Sequence, residues 1–289
     1  MPTLPVRRVL PLLSAVAVAV TLAVTASSAS AAPAASAPAP AAPSLSVAAD
    51  LTATIRLSNC SASLVRFPTS VSTDRAMMLT NGHCYEGGFL AAGQVLQNRT
   101  SSRRGTLLSP TGAALGTLTA DRVLYATMTG TDITLYRLTR TFASVQSSFG
   151  VTARTISASH PVAGDTFVPS GFFSRVFDCD ILTFVPTLRE DRWTWHDSIR
   201  FADGCGTIPG TSGSPVISVA TGQLVGINNT ANESGQSCTL DNPCEVNADG
   251  TTTAVRNRRY GQETYWITTC VTAGRTIDLT LAGCLLTRP

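Results

Sequence analysis

From about residue 50 onward, apolar and polar positions alternate over short runs that Gly, Pro, Asn and Asp interrupt about every ten residues. Thr, Val and Ile dominate these runs, as pleated strands favour, and a helical period of 3.6 residues is hard to find. The pattern predicts an all-β region. The clearest predicted strands are residues 63–67, 76–80, 88–96, 117–128, 133–138, 166–170, 175–185, 215–219 and 223–228.

A seam divides this region. Residues 142–154 separate two sets of predicted strands and contain a Ser-Ser-Phe-Gly stretch. We therefore predict one domain over residues 51–149 and a second over 150–289. Near the end, residues 260–267 are predicted to form a short helix, and a hairpin-like segment lies between Cys270 and Cys284.

The first 50 residues differ from the rest. Arg7 and Arg8 precede an almost wholly apolar run over residues 9–26, and Ala-Ser-Ala follows at 29–31, which predicts a signal peptide over residues 1–31. A membrane anchor is the alternative for the same apolar run. Residues 32–50 are rich in Ala, Pro and Ser, which predicts a leader or linker without a core.

Charge gives no support to binding of nucleic acid or other polyanions. All 21 basic residues are arginines, and removal of Arg7 and Arg8 with the signal leaves 19 against 18 acidic residues. Runs of like charge do not exceed two or three residues. We therefore expect no nucleic-acid partner, and no membrane partner once the signal is removed.

Cysteines indicate an oxidising compartment. The chain has eight, and none forms a C-x-x-C pair, so four disulfides are favoured over a zinc site. Pairing of sequence neighbours is one of 105 possible connectivities and closes modest loops. The cysteines are Cys60, Cys84, Cys179, Cys205, Cys238, Cys244, Cys270 and Cys284.

Three islands of sequence carry side chains suited to nucleophilic catalysis. Residues 80–84 (TNGHC), 131–135 (TDITL) and 210–215 (GTSGSP) supply His83, Asp132 and Ser212 in that order. A serine hydroxyl attacks well only when a histidine accepts its proton and an acid orients that histidine. Glycines beside Ser212 permit a tight turn that points backbone N–H groups at a developing oxyanion.

The order of these side chains restricts the fold, because the same triad occurs in different orders on unrelated folds. No histidine follows His196, which excludes the α/β-hydrolase order Ser, acid, His for Ser212 as nucleophile. The subtilisin order would need Asp50 or Asp74 ahead of His83, and neither lies in a subtilisin-like context. The chymotrypsin order His, Asp, Ser remains.

Other acidic residues are alternatives to Asp132 as the acid that orients the histidine. Asp121 and Asp165 are the main alternatives. We favour Asp132 because it follows a Gly-Thr turn at a strand edge, where an acid can point into a cleft.

The remaining serine and histidines have weaker claims. Ser214 is the less favoured nucleophile, because only Ser212 stands two residues after Gly210. His160 precedes a proline in a predicted turn and His196 adjoins an aspartate, so both are predicted to be surface or structural residues. A structural role beside a disulfide is the alternative for His83.

On these islands the chain resembles the secreted bacterial members of the chymotrypsin/trypsin-like serine peptidase family, in a pattern that extends from about residue 55 to 267. The family's histidine is followed by a cysteine, as His83 is by Cys84. Bacterial glutamyl endopeptidases often have Gly-Asn-Ser-Gly-Ser-Pro at the serine, which differs from residues 210–215 only at Thr211. The resemblance implies two packed antiparallel β-barrels, with the active site in the cleft between them.

The resemblance also implies roles for individual residues. Ser212 would be the nucleophile, His83 the base and Asp132 its orienting acid, with the backbone N–H groups of Gly210 and Ser212 as the oxyanion hole. Cys60 would pair with Cys84. The expected pocket and substrate-edge residues are Thr207, Asn228, Asn229 and Thr230.

Departures from the family pattern bear on activation and specificity. Thr211 replaces the aspartate that pairs with a newly formed N-terminus, so that activation switch is not expected. Asn228 stands where glutamyl endopeptidases have a histidine, and Gly206 where trypsin-like members have the aspartate that binds Arg or Lys. Thr207, by contrast, matches a threonine of glutamyl-type pockets.

These patterns predict a secreted, extracellular serine endopeptidase that acts through an acyl-enzyme. An inactive, peptidase-like binding protein and an esterase with the same triad are the alternatives. We expect a monomer whose partner is a protein or peptide substrate, with no cofactor and no metal site.

Overall fold

The computed structural model of the protein describes residues 48–289, so the predicted signal peptide and most of the predicted leader lie outside the described residues. The first sheet is built from strands of the predicted first domain and one short strand after it. Its strands are β1 (Thr54–Arg56), β2 (Ser61–Arg66), β3 (Arg75–Thr80), β4 (Val95–Thr100), β5 (Arg104–Leu108), β6 (Ala114–Thr127), β7 (Ile133–Thr141) and β8 (Arg154–Thr155).

Six of these strands close into a barrel. The order is β1-β5-β6-β7-β3-β2, and β2 pairs with β1 to complete the circle. All pairings in the sheet are antiparallel except that of β8 with β2. Leu64, Met78 and Leu118 are fully buried inside, because strands that curl around a core turn alternate side chains inward.

The second sheet comprises the remaining strands of the described region. They are β9 (Thr166–Ser170), β10 (Arg175–Asp178), β11 (Ile181–Glu190), β12 (Trp193–Phe201), β13 (Pro215–Ser218), β14 (Leu224–Ala231), β15 (Cys244–Val246), β16 (Thr252–Thr253) and β17 (Arg259–Glu263).

This sheet also returns to its own start. Strands β10 and β11 are two parts of one bent segment, of which β10 pairs with β9 and β11 pairs with β12. An antiparallel bridge between Gly164 and Ile181 joins the approach to β9 with the first residue of β11. With the order β9-β13-β14-β17-β12-β11, this bridge completes a second barrel. The predicted all-β, two-barrel fold is confirmed.

Buried tryptophans join the two barrels. Trp193 and Trp195 lie in β12, and their indole N–H groups donate to the carbonyls of Leu90 and Met128, each at 2.9 Å. The backbone of Gly130 forms a bridge with Trp195. One apolar core therefore extends across the cleft between the barrels.

Helices occupy little of residues 48–289. Helix α1 (Phe142–Phe149) lies in the predicted seam, where Thr141 caps its first turn and Gly150 ends it in the left-handed conformation at φ 69°. Helix α2 (Tyr265–Thr268) is shorter than the predicted 260–267 helix. That prediction was wrong for residues 260–263, which belong to β17, because all four residues are buried and the strand shows no alternation of apolar and polar positions.

Two other predictions differ from the structure. Residues 88–94 form a loop with a turn at 92–93 rather than a strand, and Gly88 and Gly93 lie in the left-handed region at φ 89° and 82°. Strand β12 was missed because Asp197, at φ 53°, interrupts the alternation of its buried residues.

The C-terminal tail returns to the first barrel. Tyr125 donates from its hydroxyl to the Thr287 carbonyl at 2.9 Å, and Arg275 forms an ion pair with Asp74 at 2.6 Å. Leu286 is buried in the shared core. The tail thereby holds the end of the second barrel against the first.

Four disulfides join sequence neighbours in the described region. The pairs are Cys60–Cys84, Cys179–Cys205, Cys238–Cys244 and Cys270–Cys284. Among residues 48–289 there is no helix of the length and apolarity needed to cross a bilayer.

We expect peptide mapping without reduction to show these four cross-links and no others. A modest loop closed by each bond should contribute roughly 2–4 kcal/mol to stability. A peptide joining Cys84 to a cysteine of the second barrel would contradict the two-barrel layout, and mapping after reduction is the control.

Candidate active site

A buried carboxylate fixes the histidine of the first island. Asp132 is fully buried, and its Oδ2 lies 2.6 Å from Nδ1 of His83. Its Oδ1 accepts the backbone N–H of His83 at 2.9 Å. Both the ring and the main chain of the histidine are therefore held by one carboxylate, which orients the Nε2 atom and favours the tautomer with hydrogen on Nδ1.

The residues before His83 explain why the island has its sequence. The amide of Asn81 donates to the Asp132 carbonyl at 2.9 Å and so positions the acid's main chain. At Gly82 a Cβ would lie 2.0 Å from the Thr127 carbonyl oxygen and 2.6 Å from Asp132 Oδ1. Only glycine permits this approach, which brings the two islands into contact.

The serine island crosses from the second barrel to the first. Gly210 and Gly213 have φ of 96° and 76°, so the chain makes a tight turn around Ser212. The Ser212 carbonyl accepts from Ser61 N–H in β2 at 2.8 Å. A Cβ at Gly213 would lie 2.1 Å from Thr80 Oγ1, so glycine is required there for contact with β3.

Backbone donors at this turn are free. Among the described residues, neither the Gly210 N–H nor the Ser212 N–H donates a hydrogen bond, and both residues line the cleft beside His83. The Ser212 hydroxyl donates to the Asn229 carbonyl at 3.3 Å, and no hydrogen bond joins it to His83 in the described part of the chain. Catalytic hydrogen bonds are often long or absent before substrate binds.

Electrostatics at His83 favour the imidazolium. Burial by itself lowers the pKa of His83, but the charge and hydrogen bond of Asp132, with smaller contributions from Glu190 and Asp241, outweigh burial and raise this pKa above its ordinary value of 6.5. A base with a raised pKa accepts a proton more readily and stabilises the cation that forms when serine attacks.

The four predicted pocket residues, Thr207, Asn228, Asn229 and Thr230, all line the same cleft. The Asn228 amide donates to Thr211 Oγ1 at 3.0 Å. Two of the positions at which this sequence differs from the family pattern are therefore joined by a hydrogen bond. Gly206 is not among the lining residues.

Sequence reasoning missed the wall formed by β11 and β12. Besides Gly210 and Thr211 of the serine island, the other lining residues are Phe89, Met128, Glu190, Trp193, Trp195, Ile208, Pro209, Ala231, Glu233, Leu240 and Asp241. Phe89 is 56% exposed and packs edge-on against both His83 and Trp193. The short disulfide loop, with an acid inside it, was the available sequence indication for Asp241.

Glu190 is the buried carboxyl of this wall. One oxygen accepts from Thr230 Oγ1 at 2.6 Å and the other from the Asp241 backbone N–H at 3.0 Å. Burial raises the pKa of Glu190 to about 7, against the lowering effects of these hydrogen bonds and of His83. The group therefore titrates near neutrality inside the cleft.

The competing residues lie elsewhere. Asp121 forms a two-pronged ion pair with Arg137 at 2.8 and 3.1 Å. Ser214 is fully buried and does not line the cleft, and His196 is exposed on β12. Asp165 forms no contact with His83 among the described residues. These positions leave Asp132 as the acid beside His83.

The trypsin-like peptidase domain model matches residues 69–227, which is more than half of the chain and includes all three islands. The chain therefore belongs to the trypsin-like peptidase family. No curated protein matches the chain.

Solved structures of similar proteins come from bacterial proteases. The MamO protease domain from Magnetospirillum magneticum in its apo form is 14% identical, with 78% of this chain and 98% of that chain covered and a TM-score of 0.46. A Glu endopeptidase in complex with MPD is 14% identical, at 74% and 85% coverage and TM-score 0.42. A Nocardiopsis protease is 16% identical, at 73% and 90% coverage and TM-score 0.41.

The Glu190 carboxyl should make stability depend on pH. Its folded pKa of about 7 exceeds the ordinary 4.5, so the folded state keeps a proton that the unfolded state has lost. This carboxyl should therefore lower the free energy of unfolding by roughly 3 kcal/mol as pH rises from about 4.5 to 7. Urea unfolding across this pH range measures the difference in the free energy of unfolding between Glu190→Gln and the wild type. This difference should shrink as pH falls.

The exposed cleft carboxyl Glu233 supplies the control. Glu233→Gln should give a curve parallel to the wild type. Parallel curves for Glu190→Gln as well would show that Glu190 has no raised pKa.

Proposed function

We propose that the protein is an extracellular serine endopeptidase that uses Ser212, His83 and Asp132. The observation that carries the proposal is the cleft in which a carboxylate-bound histidine, a serine between two glycines in the left-handed conformation and two free backbone N–H groups come together. The four disulfides support an oxidising, extracellular location.

In the proposed reaction, Ser212 Oγ attacks the carbonyl carbon of the scissile peptide bond and passes its proton to His83 Nε2. Asp132 holds Nδ1–H of the resulting imidazolium. The carbonyl oxygen becomes an oxyanion that accepts from Gly210 N–H and Ser212 N–H. The tetrahedral intermediate then collapses and expels the amine, which takes the proton from His83. Water next attacks the acyl-enzyme and gives a proton to His83, which returns it to Ser212 Oγ as the acid product leaves.

One rearrangement must precede attack. Ser212 Oγ donates to the Asn229 carbonyl in this structure and must turn toward His83. The turn is a side-chain rotation, since the main chain is held by Ser61 and by the Gly213 N–H bond to Asn228 at 3.0 Å. His83 accepts the new hydrogen bond at Nε2 in its neutral form, with the hydrogen on Nδ1 held by Asp132.

Exposed apolar side chains around the cleft support a polypeptide substrate. Phe89, Ile208 and Leu240 are 56%, 45% and 48% exposed and all line the cleft. Phe172 and Phe173 lie in the turn between β9 and β10. Both rings are close to the serine island, since a Cβ at Gly210 would lie 3.3 Å from each of them. Exposed apolar patches of this kind are typical of binding surfaces.

Ser212→Ala and His83→Ala should each lower kcat by about 10⁶, and the double variant should be little worse, because triad residues act as a unit. Peptide hydrolysis in single-turnover assays gives the measurement. Ser214→Ala is the matched control and should stay close to wild type, since Ser214 does not line the cleft. Retention of more than about a tenth of wild-type activity by Ser212→Ala would assign the nucleophile elsewhere.

The same preparation separates the alternative functions. An organophosphonate should label one Ser212 per wild-type molecule and none in Ser212→Ala. Absence of labelling would indicate an inactive binding protein, and cleavage of an ester but not its matched peptide would indicate an esterase.

The residue on the acyl side of the cleaved bond should be uncharged. Thr207, Asn228 and Asn229 are neutral and nearly buried, and a buried cation without a counter-charge costs several kcal/mol. Glu190 already uses both oxygens on Thr230 and on the Asp241 backbone. Peptides that differ only in Arg, Glu, Ala or Leu at this position should give the highest kcat/KM for Ala or Leu.

Asp241→Asn tests the exposed acid of the wall and should leave that ranking unchanged. A preference for Arg of a hundredfold or more in the wild type would contradict the neutral pocket. Loss of that preference in Asp241→Asn would then identify its source.

A further inference from the structure

A second cluster of ionisable side chains lies outside the cleft. His160 belongs to the segment between β8 and β9, Asp197 to β12, and Glu263 is the last residue of β17. One nitrogen or oxygen atom of each lies within 4.8 Å of the others, and none of the three residues lines the cleft. The peptidase chemistry does not use this cluster.

The histidine presents its Nε2 atom to two carboxylates. His160 Nδ1 lies 2.6 Å from the Pro161 carbonyl, which can only accept, so Nδ1 carries the hydrogen. Nε2 lies 3.1 Å from Glu263 Oε1 and 3.2 Å from Asp197 Oδ2. In a neutral ring the lone pair of this nitrogen faces two carboxyl groups, which is repulsive unless a proton or a metal cation lies among the three groups.

Glu263 has the strongest need for such a cation. The residue is 4% exposed, and neither carboxylate oxygen accepts a hydrogen bond among the described residues. A buried, unpartnered carboxylate is costly, and its Oε1 points at the same space as His160 Nε2.

The distances between the ligand atoms match those between neighbouring ligands of one metal ion. Ligands bound at about 2.0–2.2 Å from a metal ion lie about 3–3.5 Å from one another, which agrees with the 3.1 and 3.2 Å separations. A histidine whose Nδ1–H is held by a backbone carbonyl is the usual form of a metal ligand. One imidazole with two carboxylates suits Zn²⁺ or Mn²⁺ better than the all-oxygen preference of Ca²⁺.

We propose that His160, Asp197 and Glu263 together bind one divalent transition-metal ion of the Zn²⁺ type. The side chains of His160 and Asp197 are 42% and 30% exposed, which leaves an entry path and open positions for water. The ion links the segment between the barrels to β12 and β17, so its role is structural. The proposal stands independently of the peptidase function.

The test uses tag-free protein stripped with EDTA and titrated with ZnCl₂ by calorimetry. We expect one Zn²⁺ per molecule, and a rise in Tm of about 5–10 °C at a hundredfold excess over Kd. CaCl₂ should give neither effect. His83→Ala should bind Zn²⁺ as the wild type does, which separates this cluster from the cleft.

His160→Gln and Glu263→Gln should each weaken Zn²⁺ binding by about a hundredfold or more. His196→Gln, an exposed histidine on the same strand as Asp197, is the matched control and should bind normally. Should Glu263→Gln fail to fold, His160→Gln alone decides, because that side chain is partly exposed. The proposal is overturned if the wild type binds no Zn²⁺, which would leave an imidazolium ion-pair cluster, or if His160→Gln binds as tightly as the wild type.

Discussion

The geometry of the cleft depends on one backbone hydrogen bond between the barrels. Ser61 N–H, in β2, donates to the Ser212 carbonyl at 2.8 Å, and the Ser61 carbonyl accepts from Thr80 Oγ1 at 2.7 Å. Gly213 must stay glycine for this contact, because a Cβ would collide with both Ser61 and Thr80. Ser212 is therefore positioned by contacts with the same strand pair that leads to His83.

The first barrel brings its acid to the histidine through equally close contacts. Gly82 lets the histidine turn approach Thr127 and Asp132, and Asn81 fixes the acid's carbonyl. Because Asp132 is fully buried, its carboxylate meets little competition from water, and its hydrogen bonds to His83 are correspondingly strong. Buried ion pairs of this kind orient groups more than they stabilise folds.

These contacts explain how far the sequence predicts the molecule. Strands that are apolar runs bounded by glycine-containing turns, such as β6 and β7, and the three islands are local patterns, so they were recognisable in the chain. Glu190 was not, because its place in the cleft depends on the pairing of β11 with β12 and on the Thr230 hydroxyl forty positions away. The cluster of His160, Asp197 and Glu263 was missed for the same reason, since three segments distant in sequence supply one side chain each.

The cleft also retains polar groups that its own residues leave unpaired. Asn228 Oδ1 and both polar atoms of the Asn229 amide are buried without a partner among the described residues, and Gly210 N–H and Ser212 N–H donate to nothing there. Each of the three buried, unpaired asparagine atoms destabilises the folded protein by about 1–3 kcal/mol. The cross-barrel core, the C-terminal tail and the disulfides offset that cost. A peptide main chain carries the donors and acceptors that these groups lack, so the unpaired groups favour a polypeptide in the cleft over a ligand that is only apolar.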